Sequence, residues 1–181
     1  MRIAARFLDS QGNKPSLADL GCGSGRLFEI LDRTKFSKLV GVDISEAAIR
    51  EAQRKFSDSH VSFSRLDITR DALPEAQCFV ALGLLDWLSD MEIKDLFSKL
   101  QGRYFLFSFS EKRLRFMILV HSIFLRLAGR SSNSEFRPRY QSLEEILSLA
   151  GKLQGRPFIV YRHRSMAFGT FITNLPVDVA K

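Results

Sequence analysis

The stretch "LADLGCGSGRLFEIL", Leu17 to Leu31, decides how the chain folds. An apolar run carrying Asp19 leads into glycines at alternate positions, Gly21, Gly23 and Gly25, and a helical pattern follows. Glycines at the carboxyl end of a strand permit positive φ and let the backbone approach a ligand with no Cβ in between. A helix starting there adds a cluster of unpaired N–H groups. The turn is the cradle of a nucleotide-like ligand.

Outward from the turn, apolar runs of strand length alternate with helical patterns, the signature of a βαβ sheet. Ser16–Leu20 reads as the first strand, 26–32 as its helix, 38–42 as the second strand and 46–56 as a helix opened by Ser45 as N-cap. The segment 61–66 follows as the third strand. Beyond a turn at Pro74, "AQCFVALG" is a buried fourth strand, "DMEIKDLFSKL" a helix and "RYFLFSF" an aromatic-rich fifth strand. A long helical region then contains 113–127 and Leu143–Ala150, the second with Ser142 and Glu145 at capping-box spacing, separated by the polar "GRSSNSEFRPRYQ". "PFIVYRHR" and "MAFGTFITNL" close the chain as a hairpin with Ser165 near its turn. A dinucleotide-binding domain would continue with a sixth parallel strand instead.

Dinucleotides favour GxGxxG, and the last glycine of that pattern would fall on Arg26, too bulky for close helix-to-strand packing. S-adenosylmethionine carries no phosphate and packs on a DxGxGxG turn, which "ADLGCGSG" matches. On Asp19, Gly21, Gly23 and Gly25 the chain resembles the class I S-adenosylmethionine-dependent methyltransferase family, and the resemblance runs along most of the sequence. It implies an α/β, Rossmann-like methyltransferase fold: a mostly parallel seven-stranded sheet with an antiparallel terminal strand and helices on both faces. It also implies S-adenosyl-L-methionine as cofactor, with Cys22 among the glycines of the turn. By the same resemblance Asp43 of "LVGVDIS" accepts from the ribose hydroxyls and Ile44 lies against the adenine. Asp67 of "SRLDIT" stands near the adenine amino group with Ile68 beside the ring, and Gly83 and Leu84 line the methionine end. Against this, an aspartate just before Ser45 is read equally well as part of a helix cap.

With 181 residues, 45% of them hydrophobic, the chain is long enough for one domain with a full core and too short for two comfortable ones, so residues 1–181 are read as a single domain. Cys22 and Cys78 offer neither a disulfide framework nor a metal-binding spacing, which suits a reducing, cytoplasmic setting. No metal is expected. The start "MRIAARFLDSQGNK" lacks a signal-peptide core, and no apolar stretch approaches the roughly 20 residues that span a bilayer. The net charge of +7 is concentrated after residue 100, in Arg113, Arg115, Arg126, Arg130, Arg137, Arg139, Arg156, Arg162 and Arg164 among others. This excess is read either as a solvated basic face or as a site for an anionic acceptor, a membrane headgroup or nucleic acid.

Displacement at a sulfonium leaves a neutral group, so the enzyme mainly aligns the acceptor and excludes water, and a base is needed only for a poor nucleophile. Three side chains are catalytic candidates: Asp86, nearest the presumed reaction centre; Tyr140, before a capped helix where related small-molecule methyltransferases position a tyrosine; and His121, on an apolar helix. Each has a structural alternative, as a helix start for Asp86 and as a core or interface residue for His121. "GLLDW" lacks the Asp/Asn-Pro-Pro-aromatic tetrad of base-amine methylating enzymes, so a small-molecule acceptor is favoured over RNA. The apolar face of "RLRFMILVHSIFLRLAG" packs on the sheet, walls a greasy acceptor pocket or lies at an anionic membrane. "GLLDWLSD", "FSFSEKR" and "RPRYQSLEEI" are similar to the magnesium-protoporphyrin O-methyltransferase subgroup, which implies a bulky acceptor bearing carboxylates. Family members usually place helices before the glycine motif, which here begins about twenty residues from Met1. The expectation is therefore an open minimal enzyme, a chain that starts internally, or a lid supplied by a second copy or a partner chain. The last option allows a catalytically weak subunit that activates its partner.

Overall fold

The computed structural model describes residues 1–100, 102–112, 139–151, 157–162 and 169–176. In chain order these form α1 (Arg2–Asp9), β1 (Ser16–Leu20), β2 (Lys38–Asp43), α2 (Glu46–Lys55), β3 (Val61–Arg65), β4 (Cys78–Leu82), α3 (Asp90–Lys99), β5 (Tyr104–Ser110), α4 (Leu143–Ala150), β6 (Ile159–Arg162) and β7 (Gly169–Thr173). The seven strands make one sheet in the order β3-β2-β1-β4-β5-β7-β6. Strands β1 to β5 pair in parallel, and β7 runs antiparallel to both β5 and β6. The expected hairpin thus forms at the end of the sheet, with β7 inserted beside β5. The order reverses between β1 and β4, and in an open α/β sheet ligands bind outside the carboxyl ends of strands at such a switch point.

Alternation along the strands assigns the two faces. Ala18, Leu20, Val40, Val42, Phe79, Phe105 and Phe107 join Ile93, Leu96 and Phe97 of α3 and Ile146 of α4 in one buried cluster. Their neighbours Leu17, Leu39, Cys78, Val80, Leu106 and Phe171 join Ala4, Ala5 and Leu8 of α1 and Ile49 and Ala52 of α2 in the other. Both faces are covered, as parallel strands require. On the second face, Phe63 packs so close to β2 that a Cβ on Gly41 would stand 2.5 Å from its ring and 2.9 Å from the Cys22 sulfur.

One local reading is corrected. The helix expected over 26–32 is a succession of turns, closed by Phe28 N to Gly25 O at 3.0 Å, Ile30 N to Leu27 O at 3.0 Å and Leu31 N to Leu27 O at 3.1 Å. Its start is fixed by Gly25 at φ +80° and its end by Asp32, which accepts from Thr34 N, and so short a segment gains few i→i+4 bonds against the nucleation cost. A helix that the sequence reading did not assign precedes the glycine motif: α1, whose Ala4, Ala5 and Leu8 are buried. The alanine pair and Leu8 at helical spacing were the signal for it. The helix expected over 113–127, with His121 and most of the arginine-rich loop, lies outside the described residues, as does Ser165.

Candidate functional site

The glycine turn is anchored to β2 at two levels. Gly21 N and Cys22 N both donate to Val42 O, at 2.8 and 3.0 Å, and Gly23 N donates to Asp43 Oδ2 at 2.9 Å. The other Asp43 oxygen accepts from Ser45 N at 2.8 Å, while the cap of α2 is the Ser45 hydroxyl, accepting from Ala48 N. Asp43 therefore does more than open a helix: it fixes the turn, with its carboxylate held between two N–H donors. Gly21, Gly23 and Gly25 have φ of +72°, +53° and +80°. A side chain on Gly25 would strike Phe56 at 2.8 Å, whereas Gly23 faces open space.

Beneath the turn, Asp19 is 4% exposed, and among the described residues no donor reaches its carboxylate. Burial, and then the charge of Asp43, push its pKa up to about 8. Its charged form is therefore disfavoured unless a cation stands beside it. The Cys22 thiol is raised by burial and by the same two aspartates, so it stays protonated and is no nucleophile. Cys78 is likewise pushed up by burial, to about 12.

The other expected cofactor residues gather around this point unevenly. Gly83, at φ +78°, donates its N–H to Ser108 O and Oγ at 3.2 and 3.0 Å, and Leu84 Cδ1 lies 3.1 Å from where a Gly21 Cβ would stand. The turns after β1 and β4 thus meet across the switch point. Ile44 is 60% exposed beside Asp43. Ile68, by contrast, is buried in the α3 face cluster. Asp67 Oδ1 accepts from Thr69 N and Oγ1, which lowers its pKa, and Oδ2 lies 3.6 Å from Arg70. It holds its own loop together.

Of the catalytic candidates, Asp86 is buried in a 3-10 turn after β4, with Oδ1 accepting from Ser110 N and Oδ2 from Ser110 Oγ, both at 2.7 Å. Its carbonyl accepts from Arg139 N at 2.8 Å, and the Arg139 guanidinium continues to Leu88 O and Asp90. Asp86 thereby latches β4 to β5 and to the segment before α4. Tyr140 is brought beside it, and burial followed by the Asp86 charge raises the phenol above its ordinary value. Ser110 and Arg139, the partners in this latch, carry no sequence signal that pairs them with Asp86 across the chain.

Residues 17–102, which contain the glycine turn, Asp43, Asp67 and Gly83, match the family model described as "Methyltransferase domain". The match covers just under half of the chain, and over it the chain is similar to a methyltransferase domain. It is 28% identical over 158 residues to the carboxy-S-adenosyl-L-methionine synthase of Helicobacter pylori strain HPAG1, covering 80% of this chain and 66% of that protein. It is 25% identical over 176 residues to the malonyl-[acyl-carrier protein] O-methyltransferase of Acetivibrio thermocellus, covering 92% and 62%. The chain thus spans a little under two thirds of the length of these relatives. In fold it is similar to magnesium protoporphyrin IX methyltransferase from Synechocystis PCC 6803, with a TM-score of 0.69, 22% identity, and 94% and 79% of the two chains covered.

S-adenosylmethionine is the cofactor of such a domain, and the residues around the turn fit it. The buried, donor-less Asp19 suits a ligand with an ammonium, the open Gly23 backbone leaves room for its body, and exposed Ile44 offers an apolar platform.

Proposed function

We propose that the protein transfers a methyl group from S-adenosylmethionine to a carboxylate oxygen of a small apolar or aromatic acid. Asp19 would answer the ammonium of the cofactor and Asp43 its ribose hydroxyls, with Ile44 against the base and Gly83 and Leu84 along the methionine end; Asp67 would stand near the adenine, beside the buried Ile68. When bound, the cofactor supplies an electrophilic methyl on a sulfonium. The observation that carries the choice of acceptor is the state of the two candidate bases. Asp86 is tied to β5 by Ser110, which donates to both of its oxygens, and Tyr140 is a neutral phenol at physiological pH that burial holds further from ionising. Such a site favours an acceptor that is already ionised, and a carboxylate needs no base. Tyr140 then acts as a neutral donor that orients the acceptor, and the excess of arginine in the second half of the chain supplies the countercharge. The names of the Acetivibrio and Synechocystis proteins accord with acid-bearing acceptors. His121, the third catalytic candidate, lies outside the described residues.

The test is mass spectrometry after incubation with S-adenosylmethionine and a panel of aromatic and long-chain carboxylic acids. Methyl esters together with demethylated cofactor are expected. Appearance of a carboxylated cofactor would favour the activity named for the Helicobacter relative. Parallel arms with RNA and with anionic vesicles discriminate the remaining partners: steeply salt-sensitive RNA binding with methyl groups recovered in the RNA would overturn the small-molecule reading. Co-sedimentation with vesicles would place the acceptor at a lipid surface, where no helix among the described residues is long and apolar enough to cross. A single domain that needs a second copy or another chain as lid would transfer methyl groups only once that chain is added.

A further inference from the structure

α2 ends on Lys55, whose ammonium lies between two carboxylates: Glu51 Oε1 at 2.9 Å, one turn back on the same helix, and Glu29 Oε1 at 3.2 Å, on the segment that follows the glycine turn. The same Nζ also reaches Ser24, between Gly23 and Gly25, donating to its Oγ at 3.3 Å and its carbonyl at 3.5 Å. A single surface i,i+4 pair contributes only about 0.3–0.5 kcal/mol. Lys55 differs in joining three elements with one surface group, its side chain 35% exposed. The hydrogen bonds it donates to Glu51 and Glu29 hold its pKa above the ordinary value, so it stays charged through the neutral range.

The need for such a tie follows from the missing helix. In a regular βαβ unit, a helical ladder begins at the glycine turn and stiffens it. Here 26–31 is made of turns, joined to the glycine turn by Phe28 N donating to Gly25 O at 3.0 Å, and side chains add the remaining ties: Arg33 Nη1 donates to Phe28 O at 3.2 Å while its Nε pairs with Asp58 at 3.0 Å, and Lys55 grips Glu29 and Ser24. Val42 and Asp43 secure the turn from the β2 side as far as Gly23. Ser24 is secured from α2.

We infer that Lys55 is a positioning residue for the cofactor: by holding Ser24 it keeps the backbone from Gly23 to Gly25 in the conformation that receives S-adenosylmethionine. The inference rests on the reading that the cofactor binds at this turn. Lys55 acts through the turn, so its removal weakens cofactor affinity and raises the cofactor KM while kcat is unchanged.

The experiment is calorimetric titration with S-adenosylhomocysteine, well below the melting temperature, of the wild-type protein and of Lys55→Met, Lys55→Gln and Lys55→Arg. Lys55→Met keeps the aliphatic stem and removes the donors. It is expected to weaken binding roughly three- to tenfold, the loss of about one surface charge contact, and Lys55→Arg to restore it to within about twofold. A lowered melting temperature with unchanged affinity in Lys55→Met would make Lys55 merely structural and overturn the inference. If Lys55→Met does not fold, Lys55→Gln against Lys55→Arg reads the same difference, and equal affinities would overturn it. A wild-type protein that does not bind S-adenosylhomocysteine would overturn the cofactor reading and the inference with it.

Discussion

In the proposed cofactor site Asp19 would answer the ammonium and Asp43 the ribose hydroxyls, and each makes its own prediction. Asp43 is held by Gly23 N and Ser45 N, so its side chain is oriented before any ligand arrives. Asp43→Ala should weaken S-adenosylmethionine binding by about 1.5–3 kcal/mol, the range for hydrogen bonds to a charged group, when measured by calorimetry. Unchanged affinity would reduce it to a tie for the turn. Asp19 behaves differently because its native pKa is raised from 3.8 to about 8. Between those values the unfolded chain has lost a proton that the native chain keeps, so native stability falls as pH rises from about 4 toward 8. Asp19→Asn should therefore melt higher than wild type at pH 8 and match it near pH 4, while binding the cofactor more weakly; a variant that melts no higher at pH 8 would refute the burial argument. Asp19 stands in a local pattern, an acid in the strand that leads into a glycine turn, whereas Asp43 is singled out only by the resemblance of "LVGVDIS" to the family's second strand. The engagement of Asp86 by Ser110 was not legible in the sequence, since those residues are far apart in the chain and only the β4–β5 pairing brings them together.

At the scale of elements, the strands were legible to within a residue or two, because buried parallel strands are continuous apolar runs. The segment 26–31 misled for a physical reason: Leu27, Phe28 and Leu31 have helical spacing and are buried, but a left-handed glycine before them and a capped turn after them leave no length for a ladder. The contact of Phe63 with Gly41 had no sequence signal at all, as nothing in "LVGVD" marks that glycine apart from other strand residues. Gly41→Ala forces Phe63 and Cys22 to move. Overpacking of this kind costs about 1–3 kcal/mol. At roughly 2–4 °C per kcal/mol for a chain of this size, the melting temperature should fall by roughly 2–12 °C. Gly12→Ala, where an added Cβ meets nothing within 4 Å, should melt with the wild type and serves as its control.

Across the whole molecule, the sheet order places the turns after β1 and β4 side by side and sets the Asp86–Ser110–Arg139 latch next to them, at the carboxyl edge of β5. One edge of one sheet thus holds the glycine turn, the paired aspartates and the acceptor candidates Asp86 and Tyr140. Adenine nucleotides with a pyrophosphate would need a small residue where Arg26 stands. The central claim is that this edge takes a sulfonium nucleoside, and calorimetric titration of the wild-type chain with S-adenosylmethionine, S-adenosylhomocysteine and NAD tests it most directly. The account predicts saturable binding of the first two and none of the third; tight binding of NAD with no response to the other two would contradict it.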